Sequence, residues 1–197
     1  MLQHTPDFSA IPMLGVCAAG SGMGKTTLLE AMLPLLAANG VQTAIIKQAR
    51  ADFDVDQPGK DSHRMRQAGA SQVLVSSPGR WVLMTELDEP DTANDGDNLY
   101  QLAANFDPAL TDLVLVEGYR NASIPKIEVF RASRGRPLLA PQDPYIIAVA
   151  SDQPVVAALP WLDLNQPTQV ADFILSWLAS HGQLELRPIQ APWRANA

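Results

Sequence analysis

One stretch decides the fold of this chain: Ala19-Gly20-Ser21-Gly22-Met23-Gly24-Lys25-Thr26-Thr27. It follows an apolar run, Ile11 to Ala18, and leads into a helical pattern from Leu28 onward. The order of strand, glycine-rich loop and helix start is that of a phosphate-binding loop. We therefore expect a nucleotide phosphate to bind here, although the stretch alone does not indicate which reaction follows.

The residue types in this loop suit the binding of a triphosphate. Glycine lets many backbone N–H groups approach the phosphates without obstruction by side chains. Lys25 is placed to reach the β- and γ-phosphates, and the Thr26 hydroxyl is placed for Mg²⁺. Ala19 stands where a first glycine is usual, which costs little if its φ angle is negative. The predicted nucleotide-binding residues are therefore Gly20, Ser21, Gly22, Met23, Gly24, Lys25, Thr26 and Thr27.

Composition limits the class of protein. The chain has 197 residues, 47% of them hydrophobic, which is enough for one α/β domain with a sizeable core. A net charge of −7 argues against a non-specific nucleic-acid binder, which needs a basic surface. The single cysteine, Cys17, lies in the first predicted strand and is expected to be a buried thiol. Met1 to Ala10 shows no secretory pattern, and no apolar run approaches roughly 18 residues, so we expect a cytoplasmic protein.

Strand and helix patterns alternate along the chain. Strands are predicted at Ile11–Ala18, Val41–Lys47, Gln72–Val75, Leu113–Val116, Lys126–Arg131, Tyr145–Ala150 and within Val155–Leu164, with Trp81–Glu86 a strand or a short helix. Helices are predicted at Lys25–Asn39, from Asp61 or Ser62 to Gly69, at Asn98–Phe106 and at Pro167–Ser180. Pro34 either bends the first helix or ends it at Leu33.

This alternation predicts a P-loop NTPase-like, three-layer α/β/α fold. Its central sheet is expected to be mostly parallel, with some antiparallel strands. We expect a flexible N-terminal extension over residues 1–10, a single nucleotide-binding domain over residues 11–180 and a loosely ordered tail over residues 181–197.

Glu117 is the acidic residue most closely associated with the loop chemistry. It directly follows the apolar strand pattern Leu113–Val116. An acid at the end of such a strand is a usual partner of a phosphate-binding loop, where it holds the metal or orients an attacking water. We therefore predict Lys25 and Glu117 as the catalytic residues, and Thr26 and Glu117 as metal ligands.

A second acidic segment, Asp52-Phe53-Asp54-Val55-Asp56, follows the second predicted strand. Its alternating carboxylates are similar to a calcium-binding loop, but Gln57 and His63 stand where that loop needs Gly and Glu. Ligands gather at the carboxyl ends of strands in open α/β sheets. Asp54 is therefore a further candidate ligand for Mg²⁺, with a solvated acidic loop as the alternative.

Two further features lie late in the chain. The segment Arg131–Arg136 contains three arginines with Gly135 between the last two, and it is predicted to fold over the phosphates as a lid. Asp152 follows the strand Tyr145–Ala150, where some guanine-specific P-loop proteins place an acid that accepts hydrogen bonds from the base. We therefore include Asp152 among the predicted nucleotide-binding residues.

Several segments between about residues 11 and 180 share one resemblance. They are Ile46-Lys47, Asp52 to Asp56, Pro58-Gly59-Lys60-Asp61-Ser62, Arg64, Ala68-Gly69-Ala70, Arg80-Trp81, Leu83-Met84, Glu86, Leu115-Val116-Glu117-Gly118, Pro125-Lys126-Ile127 and Ala148-Val149-Ala150-Ser151-Asp152. They resemble the molybdopterin-guanine dinucleotide biosynthesis adapter protein family, MobB. The run Pro58 to Ser62 with Ala68 to Ala70 is the more specific part of the resemblance.

The resemblance implies a GTP-binding protein with low intrinsic GTPase activity, usually a homodimer. It implies assistance to the guanylyltransferase that joins GMP to molybdopterin cofactor, which is itself a possible ligand. It implies phosphate binding by Gly22, Gly24, Lys25, Thr26 and Thr27, with Mg²⁺ on Thr26 and an acid. Family members commonly carry histidines after the lysine of the second strand, where this chain has Gln48, Arg50 and Ala51. The resemblance therefore implies no role for histidine side chains at these positions in this chain.

Another function class stays open on spacing alone. A small-molecule kinase or ATP-dependent ligase needs a positioning acid and an arginine-bearing lid, which Asp54, Glu117 and Arg131–Arg136 could supply. A nickel-insertion GTPase is disfavoured, because the three histidines are far apart and have no cysteine neighbours.

Overall fold

The computed structural model describes residues 11–49, 53–87, 96 and 98–180. They fall into two compact units: the described residues of Met1–Gln48 and Asn94–Ala197, and those of Ala49–Ala93. The predicted terminal extension and tail lie outside the described residues, and the single domain over residues 11–180 stays a prediction. Among the described residues, no helix combines the length and apolarity that crossing a bilayer requires.

The described chain contains eight strands and four α-helices. The strands are β1 (Met13–Cys17), β2 (Thr43–Lys47), β3 (Gln72–Ser77), β4 (Arg80–Thr85), β5 (Leu113–Glu117), β6 (Lys126–Phe130), β7 (Ile146–Ser151) and β8 (Trp161–Asp163). The helices are α1 (Lys25–Ala38), α2 (Asp61–Gln67), α3 (Leu99–Ala103) and α4 (Pro167–Ser180), with a 3₁₀ turn at Ala132–Arg134.

The first unit is built on a six-stranded sheet of order β2-β5-β1-β6-β7-β8, in which every pairing is parallel. Every residue of β1 and β5 is buried, as expected for strands covered on both faces. One face packs against α1 and α4, and the other against α3. The structure confirms the predicted P-loop NTPase-like α/β class, with its mostly parallel sheet.

Helix α1 continues through Pro34 and ends at Ala38, so the alternative of an end at Leu33 is wrong. Pro34 lacks an N–H group and removes one helical hydrogen bond. Met32 and Leu36, on either side of it, are completely buried in the main core cluster. Packing on both sides of the proline therefore outweighs the lost hydrogen bond.

The second unit contains α2 and a hairpin in which β3 pairs antiparallel with β4. The antiparallel strands thus form a sheet of their own, and the strand alternative for Trp81–Glu86 is confirmed. The hairpin exposes several large apolar side chains, with Trp81 64% exposed. The others are Leu74, Val75, Val82 and Leu83.

A lysine is buried in the first unit. Lys126, the first residue of β6, is 1% exposed. Its Nζ donates to the carbonyl oxygens of Ala122 at 2.6 Å and Arg120 at 3.0 Å, and lies 2.8 Å from Asp143 Oδ2. Gly15 on β1 makes room for its stem, because a Cβ there would lie 2.6 Å from Lys126 Cγ. The ammonium is therefore fully paired although it is out of water.

We predict that Lys126→Met lowers the free energy of unfolding by about 3–5 kcal/mol, because it leaves the Asp143 carboxylate without its ammonium partner. The measurement is urea denaturation of the full chain. Lys60→Met, which removes an exposed ammonium, is the matched control and should stay within about 0.5 kcal/mol of the wild type. Equal urea midpoints for Lys126→Met and the control would contradict the prediction.

Candidate functional site

The glycine-rich loop joins the end of β1 to the first residue of α1. Gly24 precedes the helix with φ 101°, and Gly22 has φ 71°, both in the left-handed region that favours glycine. No described side chain caps the helix at Gly24. The first N–H groups of an α-helix have no partner within the helix, so this terminus can donate to an anion. Ala19 does not have a positive φ, so the expected tolerance of alanine there is confirmed.

Thr26 and Glu117 are in direct contact. The Thr26 hydroxyl donates to Glu117 Oε1 at 2.6 Å, although the two residues are 91 positions apart. The parallel pairing of β1 with β5 sets Val16 opposite Glu117, which brings the strand end to the loop. The other carboxylate oxygen of Glu117 lies 3.3 Å from Lys47 Nζ at the end of β2. The Glu117 carboxylate, at the carboxyl end of β5, thus contacts both the loop that follows β1 and the carboxyl end of β2.

This pair of oxygen donors fits a magnesium ion. Mg²⁺ prefers oxygen ligands and is usually held by one or two protein groups together with waters and substrate phosphates. The Thr26 hydroxyl and the buried Glu117 carboxylate supply such a set beside the loop. In the part of the chain that the structure describes, no group of three or more His, Cys, Asp or Glu side chains is placed to hold a metal.

Asp54, the third predicted metal ligand, belongs to the second unit and is engaged with Arg66. The guanidinium of Arg66 contacts Asp54 at 2.7 Å, Asp56 at 3.3 Å and Glu86 at 2.8 Å. The Asp56 backbone N–H and then Arg66 hold the pKa of Asp54 below its usual range. A metal role for Asp54 stays a prediction. Arg66 is one of several basic residues in the sequence, and the structure pairs it with the carboxylates of Asp54 and Asp56.

The predicted lid segment lies beside the glycine-rich loop. Arg131 Nε donates to the carbonyl oxygen of Met23 at 3.1 Å, and its Nη1 donates to Asp152 Oδ2 at 3.0 Å. Arg136 also approaches the loop, since a Cβ built on Gly20 would lie 3.5 Å from its Nε. The structure therefore brings Arg131, Arg136 and Asp152 to the loop, while their roles toward a nucleotide stay predictions.

A cavity of about 400 Å³ opens between the loop and this segment. Its volume is in the range of small-molecule and cofactor sites. The lining residues are Gly22, Gly24, Thr27, Arg131, Ser133 and Arg134. Backbone donors on one side and arginines on the other make this cavity suitable for a polyanionic ligand such as a nucleotide.

Comparisons with known proteins point to one family. The family model described as "Molybdopterin guanine dinucleotide synthesis protein B", MobB, matches residues 13–152. A relative from Escherichia coli (strain K12), named molybdopterin-guanine dinucleotide biosynthesis adapter protein, is 44% identical over 169 residues, covering 85% of this chain and 94% of the relative. A relative of the same name from Haemophilus influenzae is also 44% identical, covering 85% of this chain and 90% of that protein.

The chain belongs to the MobB family. A crystal structure of molybdopterin-guanine biosynthesis protein B is 26% identical with a TM-score of 0.61, covering 84% of this chain and 99% of the other. A MobB homologue from Bacillus stearothermophilus shares the fold at 22% identity with a TM-score of 0.59, covering 85% of this chain and 98% of the other. The resemblance inferred from the sequence is thus confirmed.

In this MobB-family chain a buried carboxylate anchors the far end of the arginine segment. Glu128 on β6 is 0% exposed, and its two oxygens accept hydrogen bonds from the backbone N–H groups of Leu139 and Ala140, both at 2.8 Å. Burial raises the pKa of Glu128, and the nearby Asp143 adds to the rise, while the two N–H groups oppose it.

The single cysteine lies in the same buried region. Burial and the charge of Glu128 raise the pKa of the Cys17 thiol to about 12, which agrees with the predicted buried thiol.

We predict that Glu128→Gln changes how stability depends on pH. Because the folded pKa of Glu128 is raised, the stability associated with its neutral form is fully present below the unfolded pKa and is lost as pH rises through the folded pKa. The unfolding free energy of the wild type relative to Glu128→Gln should therefore decrease as pH rises from about 4, near the ordinary pKa of glutamate, through the raised pKa of the folded state. Urea denaturation across this range measures it, and a difference that stays constant with pH would contradict the prediction.

Proposed function

We propose that this MobB-family protein binds GTP with Mg²⁺ and acts as an adapter in molybdopterin guanine dinucleotide biosynthesis. The contact between Thr26 and Glu117 beside the glycine-rich loop is the observation that carries the nucleotide part of the proposal. The adapter part is supported by the names of the relatives that share 44% identity with the chain. Its partner would be the guanylyltransferase that joins GMP to molybdopterin cofactor.

The roles of the side chains follow from their chemistry. Backbone N–H groups from Gly20 to Thr27 would hold the phosphates, and the Lys25 ammonium would contact the β- and γ-phosphates. Thr26 and Glu117 would hold Mg²⁺. The ion would neutralise charge on the phosphate oxygens. Asp152 would accept hydrogen bonds from the guanine base.

Slow hydrolysis is part of the proposal. An arginine that contacts the transferring phosphate is worth about 10³–10⁵ in rate. Arg131 instead divides its guanidinium between the Met23 carbonyl oxygen and Asp152, which supports a structural role. The Glu117 carboxylate is likewise engaged with Thr26 and Lys47. With these groups committed to the loop, we expect the bound triphosphate to persist.

The proposal extends to assembly and location. We propose a cytoplasmic homodimer, in keeping with the sequence resemblance. The apolar side chains exposed on the β3–β4 hairpin support an association surface, because monomers rarely expose contiguous apolar patches. Molybdopterin cofactor itself is a further candidate ligand of the assembled adapter.

We predict that the protein binds GTP more tightly than ATP in the presence of Mg²⁺, as measured by isothermal titration calorimetry. Lys25→Ala should weaken GTP binding by about 100-fold or more, because it removes a charge-assisted contact with the phosphates. Circular dichroism of the variant serves as the folding control. A preference for ATP would favour the kinase or ligase alternative, and unchanged GTP affinity in Lys25→Ala would refute the assignment of the loop.

We predict that purified guanylyltransferase binds the GTP-loaded protein, because an adapter acts through its partner enzyme. Titration of the enzyme followed by calorimetry or light scattering measures the interaction. The same titration with the Lys25→Ala variant tests whether the interaction depends on the nucleotide. Absence of a complex with GTP-loaded wild-type protein would reject the adapter proposal while leaving nucleotide binding intact.

A further inference from the structure

A second cavity borders the first residues of the glycine-rich loop. It has a volume of about 320 Å³ and shares no lining residue with the cavity beside the arginine segment. Its lining includes Gly20, Lys25, Gln48, Gly118, Arg120 and Asn121. The loop is thus bordered by two separate cavities.

The second cavity is cationic. Lys25 and Arg120 contribute two positive charges, and none of its described lining residues is acidic. This is notable in a chain whose net charge is −7. Within the described residues, the side chain of Arg120 is exposed and forms no ion pair. A cavity lined by charges of one sign raises the local concentration of ligands of the opposite sign.

The backbone next to Arg120 is held in an unusual conformation. Gly118 has φ 98° and Tyr119 has φ 43°, and Tyr119 is the one described non-glycine residue with a positive φ. The Gln48 side-chain oxygen accepts a hydrogen bond from the Tyr119 N–H at 2.9 Å. Strained backbone of this kind persists only where the surroundings enforce it, and it is concentrated at ligand-binding and catalytic positions.

Lys126 fixes the same segment from inside the fold. Its buried ammonium binds the carbonyl oxygens of Arg120 and Ala122. The backbone of Arg120 is therefore anchored on both sides, by Lys126 and by the Gln48–Tyr119 hydrogen bond. A fixed backbone with an unpaired guanidinium at its surface is a preorganised anion contact, because little backbone entropy is lost when the ligand binds.

We propose that this cavity is an oxyanion subsite, with Arg120 as its contact residue for a phosphate group. The planar guanidinium of arginine can donate two parallel hydrogen bonds to a phosphate. The volume lies at the lower end of small-molecule sites. The phosphate can come from two sources: the third phosphate of a nucleotide on the loop, or a separate small phosphate-bearing ligand. The first of these sources rests on the proposed function, because it requires a nucleoside triphosphate to bind at the loop.

The test compares the wild type with Arg120→Ala, Arg120→Lys and a charge-matched control, Arg80→Ala, which removes an exposed arginine that lines neither cavity. Calorimetry first measures the affinities for GDP and for a non-hydrolysable GTP analogue, each with Mg²⁺. Inorganic phosphate is then titrated into protein saturated with the analogue. A third titration adds inorganic phosphate to nucleotide-free protein.

If the third phosphate of the nucleotide occupies the subsite, Arg120→Ala weakens binding of the analogue about tenfold or more and leaves GDP affinity unchanged. If a separate ligand occupies it, Arg120→Ala instead weakens phosphate binding to the analogue-saturated protein about tenfold or more. Arg120→Lys should be intermediate in either case, because lysine keeps the charge but loses the bidentate geometry.

Arg120→Ala values equal to those of Arg80→Ala in every titration would overturn the subsite. Failure of guanine nucleotides to bind the wild type is a separate result that rejects the proposed function. The titration of nucleotide-free protein then decides the subsite by itself, since Arg120→Ala must weaken phosphate binding about tenfold relative to Arg80→Ala for the proposal to stand.

Discussion

The hydrogen bond between Thr26 and Glu117 is the constraint on which the rest of the site depends. It requires the first turn of α1 to meet the carboxyl end of β5, and hence requires β1 and β5 to be parallel neighbours in fixed register. Both strands must be buried on two faces to hold that register, which their apolar residues achieve. The sheet is thus arranged so that one hydroxyl and one carboxylate meet beside a loop of backbone donors.

The segments around the loop are held mainly by charged side chains that bind backbone atoms. Lys126 binds two carbonyl oxygens, Arg131 binds the carbonyl oxygen of Met23, and Glu128 accepts two backbone N–H groups. Backbone atoms are present whatever side chain a position carries. This kind of attachment therefore fixes the path of each segment while leaving its exposed side chains available for ligands.

The sequence predicts the core of this architecture because local patterns determine it. Apolar runs mark β1, β5 and β7, and the glycine-rich loop with Lys25 and Thr26 identifies the phosphate site. The position of Glu117 after an apolar strand predicts its contact with the loop. Predicting these features requires only residues that are close in sequence, together with the rule that parallel strands end at one edge of a sheet.

The partners of the charged side chains could not be predicted in the same way. Lys126 alternates with apolar residues as an exposed lysine does, and its burial depends on Asp143, which is 17 positions away in the chain. Arg66 is likewise one basic residue among several until the fold brings Asp54, Asp56 and Glu86 to it. Burial of a charge is decided by its partners, and partners distant in sequence leave no periodic signal.

The backbone at Tyr119 has a thermodynamic consequence. A non-glycine residue in the left-handed region stores on the order of 1–3 kcal/mol, here adjacent to Glu117-Gly118 and held by Gln48. Backbone strain of this size persists only where the surroundings enforce it, so the contacts that hold the turn must offset it. β5 is paired on both sides, with β2 and with β1, which fixes the strand from which the turn starts. A ligand that binds at the turn therefore meets a backbone conformation whose strain the fold has already offset.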